Sequence, residues 1–327
     1  MTKLIKYYQP PESKLWSGGI SDPSYPNQYW YEGIKIYKEG LDKLKSNSLH
    51  GNFGILGYSC DEGVKRNNGR QGAKNGPKAI REELGKLSAH FSKKIITDYG
   101  DVFAFENKIE LAQELYSNII CEIIQSGQVS IGIGGSHDIA YGHFCGIKKA
   151  LSKLGSDKIG VLNFDAHFDL RPTINGPNSG TPFYQIMNEF GSDTNYLALG
   201  IQKSSNSDLL YEIASELGVD YIPIEDCKSD NLNDVFNIID ENFIDCDLLY
   251  VSIDLDGFAS SHAPGVSAPG PFGFSINFFR SVFEHVLKTK NVKAIDIVEL
   301  NPKYDIDSIT AKLAAQIVSI ITEKISS

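Results

Sequence analysis

Residues 158–169, KIGVLNFDAHFD, decide the fold class of this 327-residue chain. The segment begins with an apolar run and ends in alternating polar side chains, Asp165, His167 and Asp169. A continuous apolar run of this length is typical of a β-strand that is covered on both faces, as in a parallel sheet. Alternate residues of an extended chain project to the same side, so the three polar side chains are expected to converge where the strand ends.

Six other short apolar runs have the same character and predict further strands. These runs are residues 53–59, 129–135, 195–201, 219–224, 247–254 and 292–300. Between the runs lie segments with apolar residues at helical spacing, most clearly residues 108–127, 140–155 and 307–325. The pattern predicts an α/β fold, a three-layer sandwich with a largely parallel central sheet and helices on each side.

The chain shows no linker between two cores, which predicts a single domain over residues 1–327. The first 50 residues, rich in Tyr, Pro and Ser, are expected to form an N-terminal extension that wraps over the surface. The N-terminus is too polar and aromatic for a secretory signal, and an apolar run of 18 residues is absent. We therefore expect a cytoplasmic protein.

The net charge argues against nucleic acid or an anionic membrane as a partner, and the cysteine pattern argues against a disulfide framework. With 41 acidic against 31 basic residues the net charge is -10, which gives no electrostatic reason to expect nucleic acid or an anionic membrane. A small-molecule substrate is the partner we expect. Five scattered cysteines without a CxxC pair do not indicate a disulfide framework, and Cys60 is interpreted as an idle buried thiol in preference to a redox group.

Two more predicted strands end in candidate metal ligands. SIGIGGSHD carries His137, and LLYVSIDLD carries Asp254 and Asp256. A single acid or histidine after a strand is usually a turn or capping residue. Six such residues at three strand ends are different, because four carboxylates gathered in one crevice repel one another unless cations balance them.

The donor types indicate which metal is expected. Carboxylates with two imidazoles and no thiolates suit Mn(II), and six side chains can fill two sites only if carboxylates are shared between them. The glycines before His137 lack the rest of G-x-G-x-x-G and any GK[ST], so a nucleotide-binding loop is not indicated. They are expected to let the backbone turn and bring His137 to the metal.

At these residues the chain resembles a known family. GGSHD, DAHFD and SIDLD followed by APGVSAP are similar to the three signatures of the ureohydrolase (arginase/agmatinase) superfamily, binuclear manganese hydrolases that include arginase, agmatinase and formimidoylglutamase. The resemblance is closest to formimidoylglutamase, because residues 57–84, DLRP and SGTPF resemble that subfamily's blocks. It covers most of the chain from about Gly54 to the C-terminus.

The resemblance implies an arginase-like fold, two Mn(II) ions per chain and a homo-oligomer, a trimer or hexamer. It implies that one ion is held by His137, Asp169, Asp254 and bridging Asp165, and the other by His167, Asp256 and the same two bridging residues, Asp165 and Asp254. A hydroxide between the ions would attack the amidine carbon. Glu299, in VELNP, matches the glutamate that faces the cationic nitrogen of the substrate.

The loop after the second motif is expected to select the substrate. Arg171 in DLRP stands where arginases have a neutral residue, and an arginine pairs bidentately with a carboxylate. Arg66 and Arg70 are candidates for a second carboxylate. The function expected is hydrolysis of N-formimidoyl-L-glutamate to L-glutamate and formamide in histidine degradation. The alternatives are a ureohydrolase of agmatine, guanidinobutyrate or arginine, and a non-catalytic metal-binding homologue.

One departure from arginase leaves the proton donor open. Arginases have a histidine a few residues beyond the SG of this loop, whereas SGTPF has Phe183 at about that position. Formimidoylglutamases share SGTPF. Three sources remain for the proton that reaches the leaving amine: His143, His262 and a solvent relay.

Overall fold

The fold is built around one sheet of ten strands within residues 2–91, 93–152 and 158–325, the part of the chain that the computed structural model describes. The strands are β1 Tyr8–Gln9, β2 Lys35–Ile36, β3 Phe53–Tyr58, β4 Ile96–Val102, β5 Val129–Gly134, β6 Ile159–Phe164, β7 Thr194–Ile201, β8 Asp220–Pro223, β9 Leu248–Asp254 and β10 Val292–Val298. Their order is β1-β4-β3-β5-β10-β9-β6-β7-β8, with β2 also paired to β4. Only the β1–β4 pair is antiparallel among these described strands.

Helices cover both faces of the sheet. They are α1 Trp30–Gly33, α2 Glu62–Arg66, α3 Gly76–Leu84, α4 Ile109–Gln125, α5 Ile139–Leu151, α6 Pro182–Phe190, α7 Asp208–Glu216, α8 Leu232–Asn242, α9 Ile276–Thr289 and α10 Ile309–Lys324. The buried apolar residues of α4 to α7 belong to one core cluster, and those of α3, α8, α9 and α10 to another. Neighbouring strand residues such as Ile55 and Leu56 divide between the two clusters, because alternate side chains point to opposite faces.

The three-layer α/β fold with a largely parallel sheet is therefore confirmed. Each of the seven predicted strands is present within a few residues of its expected bounds, and the three predicted helices correspond to α4, α5 and α10. The predicted end of the second helix at residue 155 lies outside the described residues. Within the described part of the chain, no helix combines the length and the apolar character needed to cross a membrane.

The sequence did not indicate three of the described strands, β1, β2 and β4, and the longest of them, β4, carries polar residues inside the core. Both oxygens of Asp98 accept from the buried Arg81 of α3, at 2.9 and 2.8 Å, and Asp101 accepts from the same guanidinium at 2.8 Å. Trp16 of the N-terminal extension donates to Asp98 at 2.9 Å. Because these partners satisfy the carboxylates, β4 is buried despite its polar sequence.

The N-terminal extension is part of the fold and does more than cover it. Its strands β1 and β2 both pair with β4 at the sheet edge, and Trp16 and Trp30 belong to a core cluster. The expectation of a surface-wrapping segment is therefore corrected in this respect. Four of the aromatic side chains of this segment, Tyr7, Tyr8, Trp16 and Trp30, are buried, whereas Tyr25 is exposed.

Candidate metal centre

Four adjacent parallel strands bring the candidate ligands together. The strands β5, β10, β9 and β6 lie side by side in this order at the middle of the sheet. His137 follows β5, Glu299 follows β10, Asp254 ends β9 and Asp165 follows β6. Since carboxyl ends of parallel strands share one edge, residues more than 150 positions apart meet in one crevice.

The first group of ligand atoms surrounds Nδ1 of His137. This atom lies 3.0 Å from a carboxylate oxygen of Asp169, 3.0 Å from one of Asp254 and 3.3 Å from one of Asp165. Ligands at right angles, about 2.1 Å from a divalent ion, lie about 3.0 Å apart. The four residues therefore have the spacing of one coordination sphere.

The second group shares Asp165 with the first. Nδ1 of His167 is 3.4 Å from one oxygen of Asp165 and 3.3 Å from Asp256, while the other Asp165 oxygen faces His137. One carboxylate thus reaches both groups, as bridging requires. The second oxygen of Asp254 accepts from the backbone N–H of Asp256 at 2.8 Å, so bridging by Asp254 stays a prediction.

The ring of His137 is fixed by a buried chain of hydrogen bonds. The Ser252 hydroxyl donates to Asp296 at 2.5 Å, and therefore accepts at 2.9 Å from Nε2 of His137. Asp296 also accepts from Tyr250 and interacts with His143 at 3.0 Å. With its proton on Nε2, His137 presents the Nδ1 lone pair to the carboxylates, the arrangement of a metal-binding histidine.

The residues fit a pair of divalent cations. Nδ1 of His137 and one oxygen of Asp256 are buried and have no hydrogen-bond partner among the described residues, as expected for atoms that face an ion. Burial, followed by the charges of Asp256 and Asp165, raises the pKa of Asp254 well above its ordinary value, and burial with Asp165 also raises the pKa of Asp169. A bound cation would compensate the same charges.

Two site residues hold left-handed backbone conformations. Asp169 has a φ of 50° and Glu299 a φ of 65°, values that cost energy for residues other than glycine. Glu299 is buried, and its carboxylate accepts from the backbone N–H of His137 at 2.9 Å. Burial first, then the charges of neighbouring carboxylates, raise the pKa of Glu299 to about 8. A cationic group beside Glu299 would favour its ionised form.

A cavity of about 280 Å³ opens above the ligand cluster, and two of the three loop arginines expected at the site, Arg70 and Arg171, line it. Arg171 is exposed at its wall, and its guanidinium has neither a hydrogen bond nor an ion pair with the rest of the described chain. Arg70 stacks on Tyr304 at 4.1 Å and donates to the carbonyls of Ser267 and Val266, but no described carboxylate pairs with it. Two guanidinium groups beside the cavity are therefore available to pair with the carboxylates of a ligand.

The expectation for Arg66 is corrected, because Arg66 does not line this cavity. Its guanidinium donates to Glu110 at 2.8 Å and to the carbonyl of Asn107 at 2.9 Å, and pairs with Glu62 at 3.4 Å. It also binds the carbonyl of Pro177 at 3.1 Å. These contacts give Arg66 the role of joining loops behind the site.

The histidines considered as proton donors lie outside the cavity. His143 is buried, with Nε2 at 2.9 Å from Ser130 and Nδ1 facing Asp296, and His262 does not line the cavity. Phe183 is buried edge-on against the His137 ring at 5.3 Å and provides packing only. Cys60 is also buried, and burial raises its thiol pKa to about 12, which agrees with an idle thiol.

Sequence reasoning missed the residues that hold the ligands. Ser252 stands two positions before Asp254 on β9, so strand alternation places both on one face, and Asp296 is an acid inside an apolar strand. Both features are signals for a buried polar network. Asn206, which binds the backbone on either side of His167, has no comparable signal because its partners are distant in sequence.

Comparison with known proteins agrees with this geometry. Residues 51–322 match the Arginase family. The chain is 35% identical to the formimidoylglutamase of Psychrobacter cryohalolentis, with 91% of this chain and 92% of the relative covered. It is also 35% identical to the formimidoylglutamase of Geobacillus thermodenitrificans, with 94% of each covered.

Solved structures have the same fold. The formimidoylglutamase of Bacillus subtilis superposes with a TM-score of 0.81 at 23% identity, over 95% of this chain and 96% of that one, which is a likeness of fold alone. The Trypanosoma cruzi formiminoglutamase with Mn2+2 superposes with a TM-score of 0.73 at 25% identity, over 84% of this chain and 94% of that one. With the family match and both close relatives spanning nearly the whole chain, this protein belongs to the arginase family.

Proposed function

We propose that this protein is a binuclear manganese hydrolase that converts N-formimidoyl-L-glutamate and water to L-glutamate and formamide, a step of histidine degradation. The observation that carries the proposal is the composition of one cavity. It has a carboxylate and imidazole cluster at its base and two arginines without carboxylate partners at its wall. A substrate with an amidine at one end and two carboxylates at the other matches both features.

Six residues would hold the metal ions. His137, Asp169, Asp254 and Asp165 are proposed for one ion, and His167 and Asp256 with bridging Asp165 and Asp254 for the other. When bound, the two ions supply Lewis acidity, which polarises a water and the amidine and stabilises the charge that develops during attack. The O-rich, thiolate-free donor set supports manganese.

The residues of the chain orient the substrate. The Glu299 carboxylate would face the cationic formimino nitrogen and align the amidine carbon over the ligand cluster. Arg171 would pair with one substrate carboxylate and Arg70 with the other, since both line the cavity. These contacts hold the reacting carbon in place and favour a dicarboxylate over a neutral or cationic tail.

The bond changes are those of amidine hydrolysis. The oxygen of water bonds to the formimino carbon, and the bond from that carbon to the glutamate nitrogen breaks. Both protons of the water pass to the departing nitrogen, which becomes the ammonium group of glutamate, while the cationic formimino group becomes the neutral amide of formamide. Because His143 and His262 lie outside the cavity, a solvent relay is the route that we propose for the proton to the amine.

We also propose that the whole chain forms one catalytic domain and assembles as a homo-oligomer.

The decisive experiment measures products. Protein loaded with Mn(II) is incubated with N-formimidoyl-L-glutamate, agmatine, guanidinobutyrate and arginine, with metal-stripped protein as the control. We expect glutamate and formamide in equal amounts from the first substrate, with little turnover of the others. Urea from a guanidino compound at a higher kcat/KM would favour the ureohydrolase alternative. Bound manganese without turnover of any substrate would favour a non-catalytic homologue.

A further inference from the structure

Asn206 lies in the loop between β7 and α7, and its side chain binds the peptide groups on both sides of His167. Its carbonyl oxygen accepts from the backbone N–H of Phe168 at 3.0 Å, and its amide donates to the carbonyl of Ala166 at 2.9 Å. The same amide also donates to the carbonyl of Gln202 at 2.8 Å. The side chain is buried, so these bonds are protected from water and hold the short loop firmly.

The two histidines of the centre are supported differently. The His137 ring is anchored through Nε2 by Ser252 and Asp296. His167 has no such anchor, because the described residues form no hydrogen bond to its Nε2, and its side chain is 26% exposed. A histidine ligand is ordinarily held by a partner on its second nitrogen. Apart from the contacts of its Nδ1 with Asp165 and Asp256, the orientation of His167 therefore depends on its backbone.

From this asymmetry we infer that Asn206 is a positioning residue that sets the affinity of the second metal group, Asp165, His167 and Asp256. The hydrogen bonds of Asn206 to Ala166 and Phe168 fix the position of the His167 backbone between them. The first group shares this segment through Asp165 and Asp169, but its other two ligands, His137 and Asp254, come from β5 and β9, and the His137 ring has its own support. Loss of the Asn206 side chain consequently weakens binding of the second ion more than binding of the first. The inference rests on the proposed two-metal function.

The neighbourhood of Asn206 supports a local effect. The carbonyl of Ala166 also accepts from the backbone N–H of Gln202 at 3.0 Å, and that of Phe168 accepts from Tyr196 at 3.0 Å. Without Asn206 these bonds keep the loop in place as a whole. The N–H of Phe168 loses its partner, however, so the peptide that follows His167 is free to rotate. Such a rotation moves the imidazole away from Asp165 and Asp256.

The test is Mn(II) titration of the full-length protein, with free Mn(II) followed by electron paramagnetic resonance. We expect wild type to bind two ions. For Asn206→Ala, we expect the first ion to bind nearly as in wild type and the second to bind about 10-fold to 100-fold more weakly. Activity then recovers when Mn(II) is raised, with KM for the substrate unchanged at saturating metal. If the alanine variant does not fold, Asn206→Ser is titrated in its place. Its hydroxyl reaches fewer partners than the amide but can retain part of the hydrogen bonding.

Gln128→Ala is the matched control. Gln128 is also a buried amide with several hydrogen bonds, but it lies at the start of β5, at the opposite end of the strand from His137. We expect the Gln128→Ala variant to have a lower free energy of unfolding and to bind both ions. An equal weakening of both ions in the Asn206 variants, or a second ion bound as in wild type, overturns the inference alone. Wild-type protein that binds a single ion at full activity overturns the two-metal function and the inference with it.

Discussion

Replacement of Arg171 by alanine tests which substrate the cavity selects. The Arg171 guanidinium lies exposed at the cavity wall and forms no ion pair with the rest of the described chain. Its removal therefore breaks no hydrogen bond or ion pair with the described residues and removes no member of the ligand cluster. Only the contact with a substrate carboxylate is lost, and that carboxylate then stays unpaired in a partly desolvated cavity.

The size of the effect depends on how exposed to water the pair between Arg171 and the substrate carboxylate is. A bidentate, charge-assisted pair that forms in a covered site contributes more than an exposed one, because water screens the exposed pair. We expect kcat/KM for N-formimidoyl-L-glutamate to fall by about 10-fold to 100-fold, equivalent to about 1.4 to 2.7 kcal/mol. The loss should appear mainly in KM, since Arg171 binds the end of the substrate remote from the reacting carbon. Arg171→Lys should recover part of it, because an ammonium group lacks the planar fork.

The assay is steady-state release of glutamate at saturating Mn(II), with metal content measured on the same samples. Arg280→Ala is the control, since Arg280 is an exposed arginine that pairs with Glu284 on α9. The control should match wild type. The carboxylate contact is refuted if Arg171→Ala equals wild type on the formimino acid, or if wild type hydrolyses agmatine faster than that acid.

Three further substitutions separate metal binding from substrate binding. Asp165→Ala removes the carboxylate common to both ligand groups and should lose both Mn(II) ions or nearly both by metal analysis, so retention of two ions would contradict sharing. Glu299→Gln should keep both ions while kcat/KM falls on the order of 100-fold, and unchanged turnover would leave Glu299 a purely structural role. Gly180→Ala would place a Cβ 3.0 Å from Cδ of Arg171, so KM should rise by about threefold to tenfold with metal content intact, whereas an unchanged KM would show that Arg171 adjusts freely.

The parallel strands and the ligand set could be predicted because their signals are local. Each ligand strand is a continuous apolar run, and the spacing of two between Asp165 and His167, or Asp254 and Asp256, is the period of an extended chain. Both features are visible without knowing which segments are neighbours. The family resemblance then supplied the division of these ligands between two ions.

The features that the sequence did not reveal depend on partners far along the chain. The sequence of β4 is more polar than that of a typical core strand, and its acids are buried because Arg81 and Trp16 donate hydrogen bonds to them. Arg66 and Arg70 have similar local surroundings, yet one faces Glu110 and the other the cavity. In each case tertiary packing sets the environment of the side chain, and neither composition nor periodicity of the sequence reveals which residues will be neighbours.

Strand order is what makes one site from separate motifs. If the ligand strands β5, β9 and β6 were far apart in the sheet, His137, Asp254 and Asp165 would lie in different places. With β10 between β5 and β9, the carboxylate of Glu299 also reaches the backbone of His137, so the residue proposed to orient the substrate is tied to a proposed metal ligand. Each connection between successive strands from β3 to β10 contains an α-helix, and the loops at the carboxyl edge of the sheet carry Arg171 and Asn206. The rigid sheet thus holds the charges that must stay together, and the loops adjust selectivity around them.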